Sequence, residues 1–281
     1  MGDMIVDVAL DLLRSMLRRN IVPRLELMTS NLKEIAVRLD DAARLARSVD
    51  QLLEPLTIDE SYEVQALSLA RRYERGERRV GVKMGFTSRA KMVQMGLDEM
   101  IWGRLTDAML VEDGGEINLS RFVHPRVEPE IAFLLNAPLS GRVDSLTAAA
   151  AIEAIAPALE IIDSRYHNFK FSLTDVISDN SSSSGFVVGP WFDPRSDFSN
   201  LGMVMEIDGF LSQVGSSAAI LGHPLRSLVA AARLVAQRGE QLNAGDIVLA
   251  GAATAAEAMT GKRFVQLTVE RLGKVSFTIR S

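Results

Sequence analysis

Apolar residues recur at helical spacing through the first eighty positions, and from Val80 onward they fall into short runs that alternate with period two. Met4, Val8, Leu12 and Met16 mark one amphipathic segment, and Leu32, Ile35, Val37, Leu39, Ala43 and Leu45 a second. A third opens at Thr57-Ile58-Asp59-Glu60, with Asp59 as the expected cap, and carries Val64, Leu67 and Leu69 towards Gly76. The first segment reads either as a helix covering its own domain's core or as a partner-binding surface. Beyond Val80 come VGVKMGF, VEPEIAFLL, ALEIID, GFVVG, MVMEID, DIVLAG and FVQLTVERLGKVSFTI. The last alternates through Val265, Leu267 and Val269, turns at Leu272-Gly273-Lys274 and returns through Val275, Phe277 and Ile279, as a hairpin does. Helices are expected near 145–156 and 227–239. Steady strand–helix alternation is missing, so the fold class is α+β. The expected division is a helical N-terminal region over 1–80 and a mixed β catalytic domain over 81–281.

Composition narrows the function more by exclusion than by assignment. A chain of 281 residues, 47% hydrophobic and 24% charged, has the usage of a globular protein with a substantial core. A net charge of −5 and the lack of a basic, aromatic-rich cluster argue against nucleic acid as a partner. There are no cysteines, which removes thiolate metal sites and cysteine nucleophiles. Asp3, Asp7 and Asp11 interrupt the apolar N-terminal stretch, so neither a signal peptide nor a membrane contact is expected and the cytoplasm is the expected location. Ser181 to Ser184 reads as a flexible turn.

The candidate chemistry is carboxylate chemistry. His124, His167 and His223 have no ligand spacing, and no nucleophile elbow, phosphate loop or dinucleotide fingerprint is present. In HPRVEPEIAFLL, Glu128 and Glu130 share one face of a strand. Two like charges side by side fit either an edge strand, where Pro129 is tolerated, or a bound cation. Glu160 lies in the apolar run ALEIID, where a carboxylate is costly unless paired, with Arg165 as one candidate partner. Three such carboxylates would supply hard oxygen ligands for Mg²⁺ or Mn²⁺. Lys83, beside Gly81 and Gly85, either points to water or faces such a site, where its charge would stabilise an oxyanion or move a proton.

Taken in order, GVKMGFTSRAKMVQMG, IWGRLTDAM, HPRVEPEIAFLL, PALEIIDSR, SDNSSSSGFVVG and GDIVLAGAATAA resemble the hydratase/decarboxylase family of catechol meta-cleavage pathways, within the fumarylacetoacetate hydrolase superfamily. The resemblance runs from about residue 58 to the C-terminus. It implies a mixed β-sheet roll or barrel with the helical region packed against it. It also implies Mg²⁺ or Mn²⁺ held by Glu128, Glu130 and Glu160, with Lys83 approaching a small 2-oxo dicarboxylic acid. The family's hydratases carry an acid where this chain has Ile101, and isoleucine cannot activate water. The resemblance therefore favours metal-dependent decarboxylation of 2-oxohex-3-enedioate to 2-hydroxypenta-2,4-dienoate. Asp107 remains as a catalytic acid and keeps a dienoate hydratase as the alternative. A catalytically silent, partner-binding member is a second alternative, and carbon–carbon hydrolysis of a diketo acid a third. Thr87, Ser88, Asn180 and Ser182 are candidate substrate contacts, and Asp163 and Arg165 candidates for orienting Glu160. Homo-oligomerisation and association with the pathway hydratase are also implied.

Overall fold

A computed structural model of the chain describes residues 31–87 and 100–280. The segment from Met4 to Met16, and Ser88, lie outside the described residues. Residues 31–45 form helix α1, which buries Leu32, Ile35, Ala36 and Leu39 and leaves Val37 and Leu45 exposed. Helix α2, Ile58–Glu74, is capped by Thr57 rather than Asp59: Thr57 is the last extended residue, its hydroxyl accepts from Glu60 N–H, and the Glu60 carboxylate accepts from Thr57 N–H at 2.7 Å. Asp40 joins the helices by accepting from Arg75 at 2.6 and 2.7 Å and from Arg71 at 2.7 Å.

Two sheets make up the rest. An eight-stranded mixed sheet contains β1 (Arg79–Gly85), β2 (Ile101–Thr106), β3 (Leu110–Val111), β5 (Arg126–Leu135), β6 (Ile152–Ile162), β7 (Ser183–Val188), β10 (Ile247–Leu249) and β11 (Glu257–Ala258). Its order is β2-β1-β10-β5-β6-β7-β3, with β11 also on β5. A five-stranded sheet runs β4 (Glu116–Asn118), β13 (Gly273–Arg280), β12 (Phe264–Val269), β8 (Gly202–Ile207) and β9 (Phe210–Ser216). Three shorter helices complete the order: α3 (Ser145–Ala150), α4 (Leu173–Ser178) and α5 (Leu225–Ala236). Among the described residues no helix is long and apolar enough to cross a membrane.

The helix expected over 145–156 ends at Ala150. Residues from Ile152 instead pair with β5, Ile155 facing Phe133 and Ala156 facing Ala132. Eleven residues of cross-strand pairing outweigh the helical preference of an alanine-rich stretch. The hairpin forms with Val269 opposite Gly273, so its turn is Glu270 to Leu272, two residues earlier than expected.

Alternation along β5 separates two cores. Val127, Ile131, Phe133 and Leu135 face the large core shared with Met203, Met205, Val265, Leu267 and Phe277 of the second sheet and with Leu228 and Val235 of α5. On the opposite face of the eight-stranded sheet Ala132, Ala156, Ala158, Leu105, Phe186 and Leu249 form a smaller cluster. Arg126, Glu128 and Glu130 occupy that same face of β5.

Candidate active site and metal centre

The edge-strand reading of HPRVEPEIAFLL does not hold, because β5 is a central strand flanked by β6 on one side and by β10 and β11 on the other. Pro129 is accommodated because its nitrogen points into the gap between β10 and β11. There the loop after β10 supplies the bonds, Ala250 N–H to Ile131 O and Ala253 N–H to Pro129 O, both at 2.9 Å. The missing N–H therefore leaves no acceptor unpaired in a ladder.

Register brings the acids together. Glu128 lies opposite Glu160 and Glu130 opposite Ala158, so three carboxylates converge on one face of the sheet. One ligand oxygen from each lies within 4.8 Å of the others. Glu130 and Glu160 are fully buried, and Oε1 of each has no hydrogen-bond partner. An unpartnered buried carboxylate oxygen is costly, and a hard divalent cation removes that cost.

Lys83 enters from β1, opposite Gly103 of β2 and Leu249 of β10. It is 3% exposed, and its Nζ is 3.1 Å from Glu160 Oε2. The ion partner of Glu160 is thus Lys83, not Arg165. Burial disfavours the Lys83 ammonium, but Glu160, Glu128 and Glu130 more than offset it and hold the group above its ordinary lysine value. Burial, and then the charge of Glu160, push Glu130 well above the usual carboxylate range. Three carboxylates, with buried unpartnered oxygens on Glu130 and Glu160, are the hard donor set that a divalent ion takes. The residues therefore fit Mg²⁺ or Mn²⁺.

Glu130 is oriented by Gly251, whose N–H donates to Oε2 at 2.7 Å. Gly251 has φ +104°, and a Cβ there would collide with the Thr87 hydroxyl and methyl. Thr87 is buried in this contact and so lies one residue removed from the acids. Gly251→Ala is expected to displace the loop, weaken metal affinity about 10-fold or more by releasing Glu130, and lower the melting temperature by several degrees. Metal titration and thermal melting would measure both effects.

The other candidates are placed more distantly. Asp107 accepts from Arg78 N–H and from Arg78 Nε, both at 2.9 Å, at the start of β1. Five residues of strand separate that point from Lys83, roughly 16 Å. Asp107→Asn is accordingly expected to change turnover less than about twofold and to leave the melting temperature nearly unchanged. Steady-state rates and melting curves of the variant are the check. Ile101 is buried in β2 against Gly85.

The Asn180 side chain clasps the free edge of β2, accepting from Arg104 N–H at 2.8 Å and donating to Arg104 O at 2.9 Å. Its backbone passes so close to Gly103 that a side chain there would collide. Ser182 is buried, with its hydroxyl unpartnered. The serine stretch expected to be a flexible turn is ordered: Asn180, Ser181 and Ser182 hold consecutive left-handed conformations, fixed by Ser181 Oγ donating to Trp102 O at 2.8 Å. Asp163 and Arg165 are both buried and are not a surface pair. Asp163 accepts from Val123 N–H and His124 N–H, and Arg165 binds Asp179. Sequence reasoning passed over Gly251 and Arg126, although Arg126 continues the two-residue spacing of Glu128 and Glu130.

An eight-stranded mixed sheet carries the three acids on one face, and residues 80–280 match the fumarylacetoacetate hydrolase C-terminal family model. The chain belongs to that family. It is 59% identical to a 4-oxalocrotonate decarboxylase of a Pseudomonas species, over 88% of this chain and 97% of that protein. It is 37% identical to the TodF product hydratase of Pseudomonas putida, over 81% of this chain and 86% of the relative. Among solved structures, the 4-oxalocrotonate decarboxylase from Pseudomonas putida G7, complexed with magnesium and adipate, superposes with a TM-score of 0.87 at 36% identity. That match covers 90% of this chain and 98% of the other.

Proposed function

We propose that this chain is a metal-dependent carboxy-lyase that converts 2-oxohex-3-enedioate to 2-hydroxypenta-2,4-dienoate. The observation that carries the reading is the buried Lys83 set among Glu128, Glu130 and Glu160, with no hydratase-type acid beside it among the described residues. The relatives named decarboxylase, and the magnesium and adipate bound to one of them, support it.

Glu128, Glu130 and Glu160 would hold the ion. When bound, it supplies Lewis-acid chemistry to the 2-oxo carboxylate end of the substrate. Lys83 stays protonated and offers an N–H donor and a positive charge to the oxygen on C2, where negative charge develops. The C5–C6 bond breaks and C6 leaves as carbon dioxide. Its electron pair forms C4=C5, the C3=C4 pair moves to C2=C3, and the carbonyl pair moves onto oxygen. A proton delivered to that oxygen gives the dienol. Leu105, Phe186 and Leu249 close the base of the site and keep water from the conjugated chain.

The protein is proposed to be cytoplasmic and to associate with further copies of itself or with the pathway hydratase. Phe210, Leu211 and Val214, exposed on the edge strand β9, support association. The test of the reaction is parallel incubation of the Mg²⁺-loaded protein with 2-oxohex-3-enedioate and with 2-hydroxypenta-2,4-dienoate. Carbon dioxide release from the diacid, with the dienol persisting, is expected. Consumption of the dienol without decarboxylation of the diacid would make the protein a hydratase.

A further inference from the structure

We infer that Arg126 is the residue that receives the distal carboxylate of the substrate and makes the site selective for diacids; this rests on the decarboxylase reading. Arg126 stands on the same face of β5 as Glu128 and Glu130, in one row with them. Its cross-strand neighbours, Ile162 on β6 and Ala258 on β11, are both apolar. Among the described residues Arg126 forms no ion pair; its guanidinium lies over the Phe169 ring, 4.4 Å from the centroid. Two other buried arginines among the described residues have carboxylates of their own, Arg165 on Asp179 and Arg104 on Glu240. Arg126 therefore has its donors available for a ligand.

The guanidinium is also held in place. Phe169 adopts φ +58° directly after Asn168 at φ +57°, a left-handed pair that is unfavourable for a bulky aromatic residue. That strained turn sets the ring between Arg126 and His124, whose imidazole meets it edge-on at 6.4 Å. Asp163 fixes the approach to β5 by accepting from Val123 N–H at 2.9 Å and His124 N–H at 2.5 Å. The Asp163 carboxylate, the His124 segment and the Phe169 ring thus pre-orient one cation without neutralising it.

Length supports the pairing. Arg126 is two residues from Glu128, about 6.8 Å along the strand. In an extended six-carbon diacid, five bonds of about 1.5 Å put the two carboxyl carbons about 6 Å apart. A substrate with its 2-oxo acid end at the three glutamates then brings its far carboxylate to Arg126. The guanidinium matches that group by a bidentate contact and fixes the rotation about C5–C6, so that the breaking bond can align with the conjugated chain.

The test compares two ligands that differ only at the far end, 2-oxoadipate and 2-oxohexanoate. Their binding to the Mg²⁺-loaded protein is measured by titration calorimetry in the parent, Arg126→Gln, Arg126→Met and Arg126→Lys. Loss of a charge-assisted contact is expected to weaken 2-oxoadipate about 10- to 100-fold in the Gln and Met variants, with 2-oxohexanoate changed less than about twofold. Arg126→Lys is expected to restore part of the difference, and the KM for 2-oxohex-3-enedioate should rise more than kcat falls. Equal weakening of both ligands, or unchanged 2-oxoadipate affinity, would overturn the assignment. A parent that distinguishes the two ligands through Arg126 but releases no carbon dioxide would contradict the decarboxylase reading alone. A parent that binds neither ligand would contradict both.

Discussion

Glu130→Gln is expected to abolish the gain in thermal stability that Mg²⁺ gives the parent, while leaving the metal-free protein at least as stable as before. In the metal-free cluster the charge on Glu130 is disfavoured by burial and by Glu160. The amide removes that charge, keeps the shape and still accepts from Gly251 N–H. For the parent, Mg²⁺ at about 100 times its dissociation constant should stabilise by about 2.7 kcal/mol, a shift of several degrees. The variant should lose roughly 100-fold or more in affinity, since it removes a ligand itself rather than a group that supports one. Melting curves with EDTA and with a Mg²⁺ series give both quantities. A variant that is destabilised without metal and still responds normally to Mg²⁺ would show that Glu130 is only a structural carboxylate.

The second large effect is expected at Lys83. Lys83→Met keeps much of the side-chain volume but removes the ammonium that stands 3.1 Å from Glu160. Without metal, Glu160 then loses its buried ion partner beside Glu130, and breaking such a pair costs about 3–5 kcal/mol. With Mg²⁺ bound much of that loss should be recovered, because the ion supplies the missing positive charge. Catalysis should not recover: loss of a positioned charge and hydrogen-bond donor lowers kcat/KM by about 10²- to 10³-fold. The contrast between restored stability and lost turnover separates a catalytic role from a scaffolding one. Near-parental turnover in the Mg²⁺-loaded variant would remove Lys83 from the mechanism.

How much of this was legible in the sequence differs from residue to residue. Glu128 and Glu130 share a face because a strand has period two, and that holds wherever the strand lies in its sheet. Whether they meet Glu160 depends on the β5–β6 register, which no local pattern encodes. The edge reading failed for the same reason: Pro129 signals a break in a ladder, and the chain makes that break inside the sheet, between β10 and β11. The alanines after Ala150 favour helix locally, yet Ala156 and Ala158 pair with β5 on the face of the acids, where small side chains leave room. Thr57 in place of Asp59 was a choice between two adjacent capping residues, settled by the reciprocal bond with Glu60. Gly251 and Phe169 act through backbone conformation and a contact distant in sequence, so neither had a periodic signal.

Carbon dioxide release from 2-oxohex-3-enedioate, followed in EDTA-stripped protein before and after Mg²⁺ is restored, most directly joins the three glutamates to the reaction. Release is expected only after Mg²⁺ is added, and not in Glu160→Gln under the same conditions. Release at the same rate without the ion, or in Glu160→Gln, would contradict the metal centre and the chemistry assigned to it.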